Sequence, residues 1–85
     1  MKIQLEVEYT DSTKVEVSCS APDIVKFEEK FDIAITTAAT SMKLTHLLYL
    51  AYASLSRNKQ TDLTFEKWTE TVEGIGAAES PKSKG

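Results

Sequence analysis

The chain has 85 residues, with 13 acidic side chains against 10 basic ones and a formal net charge of −3. This length predicts one domain, and the acidic balance argues against nucleic-acid binding, which normally needs a basic patch to neutralise phosphates. Cys19 is the single cysteine, which excludes an internal disulfide and is typical of a protein in a reducing cytoplasm.

Two stretches near the N terminus alternate strictly between apolar and polar side chains, which is typical of half-buried strands. The first covers residues 2–9 and the second residues 13–19, with the turn-forming sequence Thr10-Asp11-Ser12 between them. The pattern predicts an antiparallel β-hairpin whose apolar face must be covered by another element. The same alternation lacks the continuous apolar run of a signal peptide, so we expect the chain to stay where it is made.

A first helix is predicted from about Pro22 to Phe31. Ser20 is its N-cap, Asp23 follows three residues later as a capping-box acid, and Pro22 suits the first turn. Residues 32–41 are partly apolar and partly small and polar, without a clear period. They are predicted to form a connection that can include some helical structure.

The central element is a helix over Met42–Arg57, which is apolar on nearly all sides. Such a helix is usually surrounded by other elements, and this one is too short and too often interrupted by polar residues to span a membrane. Ser41 or Thr40 is its predicted N-cap. Asn58 is its predicted C-cap, because asparagine tolerates the left-handed conformation.

A last amphipathic helix is predicted to begin after Thr64 (or Asp62) and to end at Gly74 or Gly76. Its apolar residues follow one another at spacings of three, four and three positions and are Phe65, Trp68, Val72 and Ile75. Residues 77–85 have no apolar anchor and are expected to be a disordered tail.

The sequence contains no catalytic constellation, so we predict no catalytic, cofactor-binding or metal-binding residues and no enzyme. Cys19 and His46 would have to meet in space to act as a nucleophile and a base, and the sequence gives no sign that they do. They are interpreted as a buried thiol and a packed or surface histidine. Glu28-Glu29 is interpreted as a solvated helix face, and Gly74-Ile75-Gly76 follows a predicted helix, unlike a phosphate-binding loop.

These elements predict one α+β domain over residues 1–76, with a two-stranded antiparallel hairpin packed on about three helices. Most aromatic side chains are expected in its core, but a short chain can also expose some of them to a partner. The candidates for an interaction face are Phe65, Trp68, Val72, Ile75 and Tyr52. The alternative is that the last helix simply closes the core.

Four segments form a pattern together with the charged hairpin: Ala21-Pro22-Asp23-Ile24-Val25-Lys26-Phe27-Glu28-Glu29-Lys30-Phe31, Leu47-Leu48-Tyr49-Leu50-Ala51-Tyr52-Ala53-Ser54-Leu55-Ser56-Arg57, Phe65-Glu66-Lys67-Trp68 and Thr71-Val72-Glu73-Gly74-Ile75. This pattern, over residues 2–75, resembles the tail assembly chaperones of long-tailed bacteriophages. In that family Phe-Glu … Phe, Leu-Ala-Trp/Tyr-x-x-Leu-x-Arg and Phe-x-x-Trp … Val-Glu recur. Here Tyr52 stands where Trp is frequent and Lys67 where an acid is common.

The resemblance implies a non-enzymatic protein of the host bacterial cytoplasm that holds the aggregation-prone tape measure protein before the tail tube polymerises around it. Such proteins are absent from the finished virion. The resemblance also points to the tail tube protein and a longer form of the chain as partners. From the short length we further expect copies of the chain as possible partners, and from the charge and the central helix neither nucleic acid nor membrane.

Many members of this family are made in two forms by a programmed ribosomal frameshift near the end of the first reading frame. Ser80, Pro81 and Lys82 are compatible with a slippery codon run at that point. Two other functions stay open: a structural virion or neck component, and a small adaptor directed at a host protein.

Overall fold

The computed structural model describes residues 2–38, 40 and 43–77, which form three strands and four helices. In chain order these are β1 (Ile3–Tyr9), β2 (Lys14–Cys19), α1 (Ala21–Phe31), α2 (Ile35–Ala38), α3 (Leu44–Arg57), α4 (Phe65–Thr69) and β3 (Val72–Ala77). The strands form one antiparallel sheet in the order β2-β1-β3. The predicted α+β class, with an N-terminal hairpin packed on helices, is confirmed.

The predicted hairpin pairs β1 with β2 so that Leu5 lies opposite Val17. Asp11 shapes its turn, because its carboxylate accepts hydrogen bonds from the backbone N–H (3.0 Å) and the hydroxyl (2.6 Å) of Thr13. Alternate residues of both strands point to opposite faces of the sheet. The apolar face therefore meets the helices, while the charged face meets solvent.

The prediction of a last helix reaching Gly74 or Gly76 is wrong. Helix α4 ends at Thr69, and the chain then returns as β3 along the second edge of β1. Glycine is among the poorest helix formers, and the open edge of β1 offers this segment backbone hydrogen bonds instead. Ala77, which was expected in a disordered tail, belongs to β3, and residues 78–85 lie outside the described part of the chain.

A β-bulge explains why this segment looked helical. The register between β1 and β3 shifts by one residue between Glu8 and Tyr9, so Glu73 is an extra residue in β3. As a result Val72 and Ile75 both lie opposite core-facing residues of β1, although they are three positions apart. A spacing of three on one face is the helical signal, and here a bulged strand produces it.

Helix α1 begins at Ala21, within one residue of the predicted start, and ends at Phe31 as predicted. The capping interaction of Asp23 is present, because its Oδ2 accepts a hydrogen bond of 2.9 Å from the backbone N–H of Ser20. Pro22 lies in the first turn. The sequence thus determines the start of α1 locally.

Helix α3 begins at Leu44, later than predicted, and its N-cap is Lys43 instead of Thr40 or Ser41. The backbone N–H of Lys43 donates to Nδ1 of His46 at 3.2 Å, so a histidine ring takes the part of a capping acid. Residues 41–42 lie outside the described part of the chain.

Helix α3 is central, as its apolar character predicted. It packs against the sheet, α1 and α4, and it ends at Arg57. Asn58 is its C-cap, as predicted, but its φ is −90°, and the left-handed residue is the next one, Lys59, with φ of 58°. Helix α3 contributes three residues to the hydrophobic core, which consists of Leu5, Val7, Val17, Cys19, Ile24, Phe27, Ile35, Ala38, Leu50, Ala51, Leu55 and Trp68.

Glu28 is not part of a solvated face, unlike Glu29 beside it. Its side chain is half-buried, and its Oε2 accepts a hydrogen bond of 2.9 Å from the backbone N–H of Ile35. Ile35 is the first residue of α2, whose first N–H groups have no partners within the helix. Glu28 therefore attaches the connection after α1 to α1 itself.

Trp68 is only 2% exposed, and its Nε1 donates a hydrogen bond of 3.2 Å to the hydroxyl of Tyr9. We expect Trp68→Ala to lower the free energy of unfolding by ~3–5 kcal/mol, because the substitution leaves a large cavity in a small core. Urea unfolding followed by circular dichroism measures this loss.

Leu63→Ala is the matched control, because Leu63 is 41% exposed and its truncation leaves no buried cavity. A Trp68→Ala variant that unfolds within about 1 kcal/mol of the wild type would contradict the role of Trp68 in the core.

Candidate interaction surface

A row of aromatic rings runs over α1, α3 and α4 at the surface of the helical layer. Its members touch in sequence: Phe31 contacts His46 (4.9 Å between ring centroids) and Tyr49 (5.6 Å). Tyr49 contacts Phe65 at 5.3 Å, and Phe65 contacts Tyr52 at 5.4 Å. All five rings are partly exposed and also pack against neighbouring rings. We call them the aromatic row.

A groove of about 340 Å³ lies beside the aromatic row, between α1 and α3. It is lined by Lys26, Tyr49, Tyr52, Ala53, Ser56 and Arg57. Ala53 is small and nearly buried, and it shares the lining with Tyr49 and Tyr52. A concave, largely apolar surface with a few polar groups is the usual form of a binding site.

The edge of this α1–α3 groove is basic, although the whole chain is acidic. Lys26 and Arg57 belong to its lining, and the Nζ of Lys30 lies 5.8 Å from the centre of the Tyr49 ring, within cation–π range. Lys26 and Lys30 are one helical turn apart on α1 and both are exposed. The only salt bridge in the described part of the chain joins Arg57 to Asp23.

The ion pair between Asp23 and Arg57 fixes the groove at one end. Arg57 donates from Nε to Oδ1 (2.7 Å) and from Nη2 to Oδ2 (2.9 Å) of Asp23, and Nη2 also donates to the Ser20 hydroxyl (3.1 Å). Asp23 is completely buried, whereas the Arg57 side chain is 40% exposed. The pair ties the start of α1 to the end of α3, and it holds the guanidinium at the groove.

The charge state of this pair follows from its surroundings. Burial raises the pKa of Asp23, but the hydrogen bonds from Arg57 and Ser20 and the positive charge of Arg57 outweigh it. The pKa of Asp23 therefore lies below its ordinary value, and the carboxylate stays ionised at neutral pH.

The interaction face predicted from the sequence is divided in the structure. Tyr52, Phe65 and Trp68 do come together, with ring centroids 5.4–6.5 Å apart. Val72 and Ile75 lie on β3, and Trp68 is buried in the core. Four residues of the predicted set are therefore partly exposed: Tyr52 and Phe65 in the aromatic row, and Val72 and Ile75 on strand β3.

Lys26, Ser56 and Arg57 were not predicted as site residues. Arg57 and Asp23 are 34 positions apart along the chain, so no local spacing relates them. The only available signal was indirect: Asp23 and Arg57 both belong to segments that carry the family resemblance.

Cys19 and His46 are both packed side chains, as interpreted from the sequence. The Cys19 thiol donates to the carbonyl of Leu50 at 3.2 Å, and burial, followed by the charge of Asp23, raises its pKa to about 12. Since the thiolate is the nucleophilic form, this thiol is unreactive at neutral pH. His46 packs edge-on against Phe27, with 5.3 Å between ring centroids.

Within residues 2–38, 40 and 43–77, no three His, Cys, Asp or Glu side chains are grouped so that they could hold a metal ion. No helix in the same part of the chain is long and apolar enough to cross a membrane. Ser80, Pro81 and Lys82, the residues at the predicted frameshift junction, lie outside it. Comparisons with protein-family models, with curated proteins and with solved structures found no match.

We expect acid to weaken the domain partly through Asp23. Because the folded pKa is depressed, the ion pair contributes stability above about pH 4, and this contribution is lost as the pH falls through the lower folded value. Asp23→Asn should cost about 1–3 kcal/mol at pH 7, since Arg57 is partly solvated and the pair is not fully buried. The measurement is urea unfolding at several pH values between 7 and 2.

Asp62→Asn, which changes an exposed carboxylate, is the control and should follow the wild-type pH curve. The difference in stability between the wild type and Asp23→Asn should shrink at the acid end. A difference that stays constant down to pH 2 would show that the ion pair does not depend on the charge of Asp23.

The reactivity of the Cys19 thiol reports how readily the native structure opens and exposes its core. In the native protein its thiol should react with a disulfide reagent at pH 8 at least ~100-fold more slowly than in urea, because it is buried and protonated. Release of the chromophore from the reagent measures the rate. A native rate equal to that of the unfolded chain would contradict the burial of Cys19.

Proposed function

We propose that this protein is a non-enzymatic bacteriophage tail assembly chaperone, which binds the tape measure protein in the host bacterial cytoplasm during tail morphogenesis. It binds stoichiometrically and leaves before the virion is complete. The observation that carries this proposal is the α1–α3 groove beside the partly exposed aromatic row, on a chain that is acidic overall.

The position of the family-like segments supports the proposal. The Ala-Pro-Asp segment supplies Asp23, and the Leu-Ala-Tyr-x-x-Leu-x-Arg segment supplies Tyr52 and Arg57. Tyr52 and Arg57 line the groove, and Asp23 holds the Arg57 guanidinium there through the ion pair. The segments that resemble the chaperone family are therefore the ones that build this surface.

The chemistry of the surface suits a helical client. Tape measure proteins, as the resemblance implies, are long and prone to aggregate before the tube surrounds them. A helix lying in a groove buries its apolar side chains there, and aromatic rings give a large contact area at a low entropic cost. The acidic exterior of the chaperone keeps such a complex in solution.

The test is coexpression of this chain with the tape measure protein encoded in the same phage genome. We expect the tape measure protein to move from the insoluble to the soluble fraction and to copurify with a tagged chain at a fixed ratio. A tagged, unrelated acidic protein of similar size is the control. A tape measure protein that stays insoluble and does not copurify would contradict the proposal.

The remaining functions are separated by mass spectrometry of purified virions. A chaperone is absent from the finished particle, whereas a virion or neck component is present in it. A host-directed adaptor is also absent from the particle, but deleting its gene leaves tail assembly and tail length unchanged, whereas deleting a chaperone gene blocks tail formation.

A further inference from the structure

We infer that the α1–α3 groove binds an amphipathic helix of the tape measure protein that carries acidic side chains beside its apolar stripe. One large apolar side chain of the helix enters at Ala53, and its carboxylates meet Lys26 and Lys30. The identity of the partner rests on the proposed function, whereas the chemistry of the bound helix rests on the groove alone.

The size of the groove suits a side chain of a larger partner. About 340 Å³ lies at the small end of the range for binding pockets, which suits a few side chains and not a whole ligand. Ala53 is the smallest residue of the lining and is 7% exposed, so it leaves room beside Tyr49 and Tyr52 for a side chain from a partner. The groove therefore accepts an anchor side chain from a partner that continues along the surface.

The charges at the edge of the groove favour a partner with acidic side chains. Lys26 and Lys30 are exposed, one turn apart on α1, and neither forms a salt bridge within the described residues. Arg57 uses Nε and Nη2 for Asp23 and Ser20, so its Nη1 is the part of the guanidinium that remains for a partner. Lys26 and Lys30 on α1 lie beside the tyrosine-lined wall that α3 contributes, which matches a helix with acidic residues next to its apolar stripe.

The basic edge of the groove differs in charge from the outer face of the sheet. On the outer face of the sheet, Glu6 lies directly opposite Glu16, and like charges so placed repel each other. That face is acidic and would repel the same helix. The charge distribution therefore selects one side of the molecule for an acidic client and disfavours the other.

The test uses two designed fluorescent peptides, each with Leu at helical spacing, one with Glu and the other with Lys beside the Leu residues. Fluorescence anisotropy measures their affinity for the purified chain. We expect the Glu peptide to bind at least ~10-fold more tightly than the Lys peptide, and its affinity to fall with rising salt. Equal affinity for the two peptides would overturn the role of the basic edge.

Two variants locate the binding site. Ser56→Trp fills the groove from an exposed position and should abolish binding of the Glu peptide, whereas Thr45→Trp, exposed elsewhere on α3, should leave it unchanged. Circular dichroism confirms that both variants fold. Unchanged binding by a folded Ser56→Trp variant would overturn the inference.

Reversing the charges provides the complementary test. Lys26→Glu with Lys30→Glu should weaken binding of the Glu peptide by roughly tenfold and strengthen binding of the Lys peptide, because two exposed ion pairs are replaced by repulsion. Lys2→Glu with Lys43→Glu makes the same change in net charge away from the groove and should alter neither affinity. Equal effects of the two double variants would show that only net charge matters and would overturn the inference.

Repeating the copurification with these variants separates the two proposals. If the tape measure protein copurifies with the wild type but not with Ser56→Trp, the groove is its site. If it copurifies equally with both, the inference fails and the proposed function stands. If the Glu peptide binds but the tape measure protein does not copurify, the tape measure protein is overturned as the partner. If Ser56→Trp shifts the oligomeric state of the chain itself, a second copy of the chain is the occupant of the groove.

Discussion

The ion pair between Asp23 and Arg57 organises the helical layer. Asp23 lies in the first turn of α1 and Arg57 in the last turn of α3, so this contact links two residues that are 34 positions apart in the sequence. The Ser54 hydroxyl adds a second link at this end, donating to the carbonyl of Ser18 in β2 at 2.8 Å. A completely buried carboxylate is costly unless it is paired and hydrogen-bonded, and each Asp23 oxygen has such a partner.

The aromatic row follows from the small size of the domain. A chain of this length buries only about 60% of its unfolded surface, so it cannot enclose every large side chain. Phe31, Tyr49, Tyr52 and Phe65 therefore pack against one another and remain partly exposed. The same rings stabilise the fold and present a surface to a partner, so a substitution among them changes both.

The sequence was sufficient where the structure is locally determined. Alternation predicted the hairpin, and the Ser20–Asp23 spacing and apolar periodicity predicted α1 and α3. It was insufficient where one element takes its form from another: β3 is a strand because β1 has an open edge, and its bulge imitates helical spacing. The groove was also beyond sequence reasoning, because it depends on which helices pack together. Tyr52 was recognised as a surface candidate, whereas Lys26 and Ser56 carry no signal of their own.

The position of β1 constrains how the domain is made. It is the middle strand of the sheet, yet it is the first of the described elements to be synthesised. Its neighbour β2 is made immediately afterwards, and its neighbour β3 is the last of the described elements. Until β3 has been synthesised and has paired with β1, one edge of β1 lacks its native partner in the nascent chain. Open strand edges promote pairing with other chains. Closure of the sheet joins Tyr9 to Val72 and therefore involves a long-range contact of the kind that slows folding. The polypeptide reaches its complete sheet only after synthesis has passed Ala77.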